Sequence, residues 1–549
     1  MGKKNNQVFT ADSSPLAQSV SSRYWPYVAL LLIVVFFSLI RVRLLDVPLE
    51  RDEGEYAYAG QLLLQGIPPY QLAYNMKLPG TYIAYAMILA VFGQTPVAIH
   101  AGLLLVNAAT IVLIFFLAMR LFGSLAAVVS AASYALLSTN PSVLGFAAHA
   151  THFVALPAVA GLLLLLTAIE TGTIWRYFWS GILVGLAFVM KQPGIFFILF
   201  AGLYFLQSQW KRSTDWRATA ARGGMLGLGA VLPFFVVCLV LWKWGVFPKF
   251  WFWIFIYARQ YGFALGPLEG SQVLWMMAPP AIGTGVFIWL LAAVGLSAIF
   301  WNEQARSHCV FLAGFLLFSF LAVCPGFYFR SHYFVVMLPA IALLAGVAVA
   351  AATRELQKHA IPPSLRLVPL LLFGLAFIYP LVEQHDFLFA MQPLVACQSL
   401  YAPNPFPEAR AIGDYIKSHT SPDARIAVLG SEPEIFFYAQ RHSATGYIYV
   451  YPLMENQKYA STMQQQMIAD IEHSQPQWIV FVNVPFSWVV RPDSDTELLA
   501  WSQKFLDQHY ELNGVVDILE QSKYLWGPDA KLYRPTSRFS VEIFKLRTP

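Results

Sequence analysis

Apolar runs long enough to cross a bilayer recur over roughly the first two thirds of the chain and then stop. They predict helical spans near 25–45, 96–119, 123–139, 150–169, 176–190, 191–207, 223–245, 279–301, 308–324, 332–352 and 364–382, each near the roughly 17–25 residues that hydrocarbon thickness requires. Lys191-Gln192-Pro193-Gly194 separates two of these runs, and either two spans or one kinked or re-entrant element fits that break. Beyond about residue 400 the pattern changes. Helices are predicted over 408–418, 434–440, 466–473 and 496–509, with strands over 425–429, 478–482, 514–519 and 541–546, from the switch between helical and alternating periodicity.

The fold class that follows is a polytopic α-helical membrane protein with about 11 transmembrane helices and a C-terminal exterior α/β domain. The expected division is a cytoplasmic N-terminal segment 1–24, a transmembrane module 25–382 with a first exterior loop 46–95, and an exterior domain 383–549. Composition agrees, since 58% of the residues are hydrophobic and 12% charged, far from soluble-domain usage. A net charge of +5 spread along the chain gives no footprint for nucleic acid. Cys238, Cys309, Cys324 and Cys397 are far apart and fit buried single thiols rather than a metal or redox motif. The first run lacks a small-residue cleavage site and ends in Arg41 and Arg43, which predicts an uncleaved span.

Loop charge sets the expected orientation. Lys3, Lys4 and Arg23, then Lys211, Arg212, Arg217 and Arg222, then Arg354, Lys358 and Arg366 share one face, which the positive-inside rule makes cytoplasmic. With an odd number of spans the C-terminal domain lies on the other side, periplasmic or extracellular. Arg41, Arg43, Arg51, Lys77, Lys249, Arg259 and Arg330 fall on that exterior face against the rule. Their position predicts a specific task, such as holding an anionic group.

The densest charge is Glu50-Arg51-Asp52-Glu53-Gly54-Glu55-Tyr56, just past the first span. Ionised groups beside hydrocarbon cost several kcal/mol unless paired or hydrated, so this stretch is the first candidate for an active site. Asp52 with Glu55 three residues on also reads as a helix capping box. Tyr56, Ala59, Leu62 and Leu63 recur at helical spacing and predict a helix lying in the interface, its polar side turned to the exterior. An acid at such a helix mouth can accept a proton from a substrate hydroxyl.

Asp52-Glu53-x-x-Tyr56-Ala57, Leu63-Leu64-Gln65-Gly66, Pro69-Tyr70, Lys77-Leu78-Pro79-Gly80 and Phe92-Gly93 together resemble the start of the polyprenol-dependent glycosyltransferases of the GT-C fold. The likeness is to the bacterial branch related to protein O-mannosyltransferases (glycosyltransferase family 39) and lipid A aminoarabinose transferases. Leu121-Phe122-Gly123, Met190-Lys191-Gln192-Pro193-Gly194, Arg330-Ser331-His332-Tyr333 with Leu338-Pro339, and Gly430-Ser431-Glu432-Pro433 with Arg441 continue it. The resemblance implies an inverting transfer of sugar from a polyprenyl-phosphate donor to a protein, lipid or glycan on the exterior face of the cytoplasmic membrane. It implies Asp52 as general base, Glu53 as its partner in orienting the acceptor or sharing the proton, and Lys77 as the cation at the lipid phosphate, with Arg330 and Arg259 as further candidates. No nucleotide or other cofactor is required.

Relatives carry a second acid in the segment aligned with Ala148-His149-Ala150-Thr151-His152, where this chain has histidines. His149 and His152 fit water-satisfied interfacial residues as well as contacts to acceptor or phosphate, and with no third ligand in view no metal site is assigned. Glu55, Tyr56, Lys191, His332 and Tyr333 complete the candidate pocket. Lys191 also fits a snorkelling lysine, and Trp242 to Trp253 an interfacial aromatic belt. Two other functions fit the sequence: a transporter or flippase of lipid-linked sugars, and an inactive sugar-binding scaffold.

Overall fold

The computed structural model of the chain describes residues 15–212, 215–262, 265–359 and 362–547. Residues 1–14 of the expected cytoplasmic segment, with Lys3 and Lys4, lie outside them. Each of the eleven expected spans coincides with a helix, and among the described residues seven helices are individually long and apolar enough to cross a membrane. At Lys191 the helix Ile174–Met190 ends in extended backbone, and a single turn, Gln192–Gly194, leads into a separate helix, Ile195–Arg212. Those two helices pack on each other, so the break separates two elements. The span expected at 279–301 starts earlier, at Pro267, and is interrupted at Gly283–Gly285, where Gly283 has φ +50°.

Beyond the membrane helices lies one six-stranded sheet. Its strands are β1 (Arg425–Leu429), β2 (His442–Ser443), β3 (Trp478–Asn483), β4 (Tyr510–Asp517), β5 (Lys523–Trp526) and β6 (Ser540–Leu546), in the order β2-β1-β3-β6-β4-β5. β1 runs parallel to β2 and β3, whereas β6 is antiparallel to β3 and β4, and β5 to β4. The predicted strands and helices are all present, and β2 and β5 were not foreseen. β2 is two residues long, and Lys523–Trp526 carries no buried alternation for a pattern to reveal.

The first exterior loop joins the two parts. Its helix, Arg51–Leu64, is buried from Glu53 to Leu62, which corrects the expectation of an interfacial helix with one wet side. One flank packs on the helix Gly80–Phe92, which the hydropathy reading missed, and another on the helix Glu434–Ala439 of the α/β domain. Tyr56, Ala57, Tyr58, Tyr82 and Tyr85 therefore share a core with Val428, Phe436 and Val480 of that domain. The aromatic stretch Phe247–Tyr257 is a second clamp: Phe250, Trp253 and Tyr257 pack with Tyr70 and residues of the α/β domain such as Tyr447.

Several of the misplaced cations hold this joint rather than an anion. Arg41 donates to the carbonyls of Ser138 at 2.8 Å and Gly145 at 3.0 Å, and Arg43 to those of Phe387, Leu388 and Met391. Arg51 pairs with Glu432 at 2.8 Å between the Phe406 and Tyr451 rings, which accounts for the Gly430-Ser431-Glu432-Pro433 motif. Arg441 caps the carbonyls of Lys417 and Thr420.

Close approach at Gly54 makes a test of this docking. A Cβ there would lie 2.5 Å from the Glu434 backbone nitrogen, whereas one on Gly224 would meet nothing within 4 Å. Gly54→Ala is expected to destabilise the protein by about 1–3 kcal/mol, the usual cost of overpacking, and Gly224→Ala to leave it unchanged. Thermal unfolding in detergent checks this, and equal melting temperatures for Gly54→Ala and the parent would refute the tight docking.

Candidate active site

Where loop, membrane helices and α/β domain meet, they line a cavity of about 480 Å³. The loop contributes Glu50, Arg51, Asp52 and Lys77; the membrane module contributes His149, Lys191, Arg330, His332 and Tyr333; the α/β domain contributes Tyr449, Tyr451 and Glu455.

The helix start is set two residues earlier than the sequence suggested. Glu50, not Asp52, is the N-cap: it accepts from the Glu53 N–H at 2.9 Å, while the Glu53 carboxylate accepts from the Glu50 N–H at 3.3 Å. That frees Asp52 to face the cavity. Asp52 Oδ1 accepts from Lys77 at 2.7 Å and from the Tyr449 hydroxyl at 3.2 Å. Its Oδ2 lies 3.6 Å from His149 Nδ1 and 3.7 Å from His332 Nε2. Burial opposes ionisation of Asp52, but Lys77, then the two histidines, outweigh it and hold the carboxyl well below the usual range.

Lys77 is placed by its neighbours. Tyr70, with φ +66°, donates to the Lys77 carbonyl at 2.7 Å, and Thr81 donates to the Met190 carbonyl at 2.9 Å. Gln192 donates to the Met76 carbonyl at 2.5 Å, so the loop lies against the break that carries Lys191. The ammonium bridges Asp52 and Glu55, each at 2.7 Å, 4.6 Å from the Tyr56 ring centroid.

Not every candidate reaches the cavity. Glu53 is 1% exposed and is used up by His100 at 2.9 Å and the Ala148 N–H at 2.6 Å; it ties the loop to the helix Pro96–Phe122 and to the segment just before the helix Ala150–Thr171. Glu55 is fully buried, held by Lys77, Asn75 and Tyr82, and Tyr56 packs beneath Lys77. His152 is buried away from the cavity with neither ring nitrogen hydrogen-bonded among the described residues. Arg259 is exposed and outside the lining, because the stretch Phe252–Tyr257 winds as a π-helix that turns Tyr257 and Tyr261 inward instead.

His149, by contrast, is 1% exposed, so it is not the water-satisfied interfacial residue its position allowed. Its ring stacks on that of His332, centroids 4.1 Å apart, and both nitrogens lack hydrogen-bond partners among the described residues. The third ligand missing from the sequence is supplied by folding: Asp52, His149 and His332 each bring one ligand atom within 4.8 Å of the others. Two nitrogens and a carboxylate oxygen suit a divalent cation such as zinc.

Lys191 and Arg330 differ from Lys77 in having no carboxylate partner among the described residues. Lys191 sits 4.2 Å from the Tyr333 ring centroid and is not a snorkelling lysine. Arg330 lies over Tyr328 at 5.9 Å. Glu50, from the charged stretch singled out in the sequence, also lines the cavity, as do Tyr257, Tyr261, Tyr449, Tyr451 and Glu455, which were not among the sequence candidates. The density of tyrosine over 447–451 was the one local signal, and it named no partner.

Residues 77–240 match the sequence model of the dolichyl-phosphate-mannose-protein mannosyltransferase family. No curated protein matches the sequence. Among solved structures, ArnT from Cupriavidus metallidurans bound to undecaprenyl phosphate is similar, with TM-score 0.54 at 16% identity over 95% of this chain and 98% of that one. AglB oligosaccharyltransferase from Archaeoglobus fulgidus, in complex with an inhibitory peptide and a dolichol-phosphate, matches with TM-score 0.51 at 13% identity over 94% of this chain and 75% of that one. The same enzyme with zinc and sulfate gives 0.53 at 14% identity, covering 92% and 74%. The chain has the GT-C glycosyltransferase fold and is a multi-pass membrane protein.

Burial, then the Asp52 and Glu53 charges, raises the Glu50 carboxyl to about 7 against the opposing pull of His149. A carboxyl whose folded pKa exceeds its unfolded one costs stability as pH rises from the unfolded value through the folded one. Glu50→Gln keeps a cap oxygen and removes that cost. Its melting temperature relative to the parent is expected to rise between about pH 5 and about pH 8; a difference independent of pH would refute the buried, titrating Glu50.

Proposed function

We propose that the chain is an integral membrane glycosyltransferase that moves a sugar from a polyprenyl-phosphate donor to an acceptor hydroxyl, with inversion, on the exterior face of the membrane. The observation that carries this reading is one cavity lined both by an ionised carboxylate, Asp52, and by two unpaired cations, Lys191 and Arg330. The match of residues 77–240 to a polyprenyl-phosphate-sugar transferase family, and the lipid phosphates bound by fold relatives, support the donor class.

In this mechanism Asp52 Oδ2 takes the proton of the acceptor hydroxyl as its oxygen attacks the anomeric carbon. The bond from that carbon to the phosphate oxygen breaks on the opposite face, and the electron pair leaves with polyprenyl phosphate. Lys191 and Arg330 receive the developing phosphate charge, a contribution that grows in a poorly screened site. Lys77 is engaged by two carboxylates, so its first effect is to hold Asp52 ionised. A phosphate within its reach would share the ammonium and make Asp52 a stronger base when the donor is seated. Val154, Met277, Ala322 and Val336 give the cavity an apolar wall on the membrane side, suited to the first isoprene units. A divalent cation, if bound, would be held by Asp52, His149 and His332 and would supply positive charge at the cost of the free Oδ2, so the base role of Asp52 belongs to the metal-free site.

Orientation follows from the loop charges, with the N-terminus cytoplasmic and the α/β domain outside the cytoplasmic membrane. A cysteine at the exposed Asp529 is expected to react with an impermeant maleimide in intact cells. Labelling only after permeabilisation would reverse the orientation.

Asp52→Asn is expected to lower transfer from radiolabelled polyprenyl-phosphate sugars by about 10²- to 10⁴-fold, the range for loss of a general base, with donor binding retained. Purified protein in proteoliposomes with membrane extract as acceptor source tests it. Unchanged turnover in the variant would remove Asp52 from the chemistry, and donor binding without turnover in the parent would favour a transport or scaffold role.

A further inference from the structure

The transfer mechanism leaves one wall of the cavity unused. The exterior segment from Tyr449 to Glu455 crosses this wall, tied at one end to the base by the Tyr449 hydroxyl, 3.2 Å from Asp52. At its other end Glu455 accepts from the hydroxyl of Tyr257 at 2.7 Å. Tyr257, Tyr261, Tyr333, Tyr449 and Tyr451 line the same space. Tyr261 is fixed by stacking on Tyr328 at 4.5 Å, and Tyr451 by donating to the Phe486 carbonyl at 2.6 Å.

We infer that this wall is the sugar subsite and that Glu455 is its specificity-determining residue, accepting a hydrogen bond from a hydroxyl of the sugar on the donor. The inference rests on the proposed transferase function and extends it to the choice of sugar. Glu455 Oε2 is occupied by Tyr257, and its other oxygen has no hydrogen-bond partner among the described residues although the side chain lines the cavity. A carboxylate held by one oxygen and open at the other accepts from a donor in a fixed place. Tyrosine supplies both halves of sugar recognition, a flat apolar face for ring C–H groups and a hydroxyl at its edge. Asp52 at one end of the segment and Glu455 at the other place the anomeric carbon by the base and the distal hydroxyls by the tyrosines.

Position and contact can be told apart, because glutamine at 455 keeps an oxygen for the Tyr257 hydroxyl while weakening acceptance from the sugar. The experiment measures kcat and KM of the reconstituted full chain for a panel of polyprenyl-phosphate hexoses and their monodeoxy analogues. For the parent, one deoxy analogue is expected to lose about 10- to 100-fold in kcat/KM, since a site built to bond a hydroxyl rejects the analogue lacking it. Glu455→Gln is expected to raise KM for the intact sugar and to erase most of that discrimination, with kcat for the deoxy analogue near the parent's. Full discrimination retained in Glu455→Gln, or an equal loss for every sugar in the panel, would overturn the assignment. No turnover by the parent with any donor would instead defeat the transferase function itself.

Discussion

The structure depends on burying a charged helix start between two domains. Arg51, Asp52, Glu53 and Glu55 occupy one and a half turns, and a buried charge without a partner costs several kcal/mol. Each is therefore matched by a group from a different part of the chain: Arg51 by Glu432 of the exterior domain, Glu53 by His100 of a membrane helix, Glu55 by Lys77 and Tyr82. These pairs fix the loop against both domains at once. Asp52 alone has an oxygen turned to the cavity, set between two histidines rather than consumed by one bond. The same requirement that makes the joint rigid leaves, of Asp52, Glu53 and Glu55, only Asp52 with an oxygen open to the cavity.

This arrangement changes the meaning of the arginines and lysines that the loop-charge rule leaves out of place. Arg41 and Arg43 donate to backbone carbonyls at helix ends, where the last acceptors have no partner within the helix. Arg330, and with it Lys191 at the break between two helices, has no carboxylate partner among the described residues and lines the cavity. On the proposed function the donor phosphate is the anion these two would receive. Lys77 stands between the two kinds, its charge shared with Asp52 and Glu55.

Much of the architecture could be read from the sequence because hydropathy acts locally. Spans, strand periodicity and the importance of the Glu50–Tyr56 stretch each follow from neighbouring residues. What escaped was whatever required a partner far along the chain. The cap at Glu50 rather than Asp52 is decided by Glu53 being drawn to His100 and the Ala148 N–H, 47 and 95 positions away. The burial of Arg51–Leu64 is decided by the exterior helix Glu434–Ala439, whose approach Gly54 permits. His149 looked isolated from third ligands because Asp52 and His332 are distant in sequence. Glu455 and its tyrosines left no motif, since their common feature is a cavity and not a spacing.

Under the proposed function, the placement of the α/β domain bears on how a polar sugar on a lipid tether would be handled. A polyprenyl chain is held by the bilayer, so the reacting phosphate cannot move far from the membrane edge. The acceptor and the sugar hydroxyls need a hydrogen-bonding surface that hydrocarbon-facing helices do not provide, because polar groups on such helices are costly. Here the membrane module brings cations, the loop brings the carboxylate, and the α/β domain covers the top with Tyr449, Tyr451 and Glu455. The tight packing at Gly54 and the Arg51–Glu432 pair hold that cover against the loop, so groups outside the lining set the shape of the cavity.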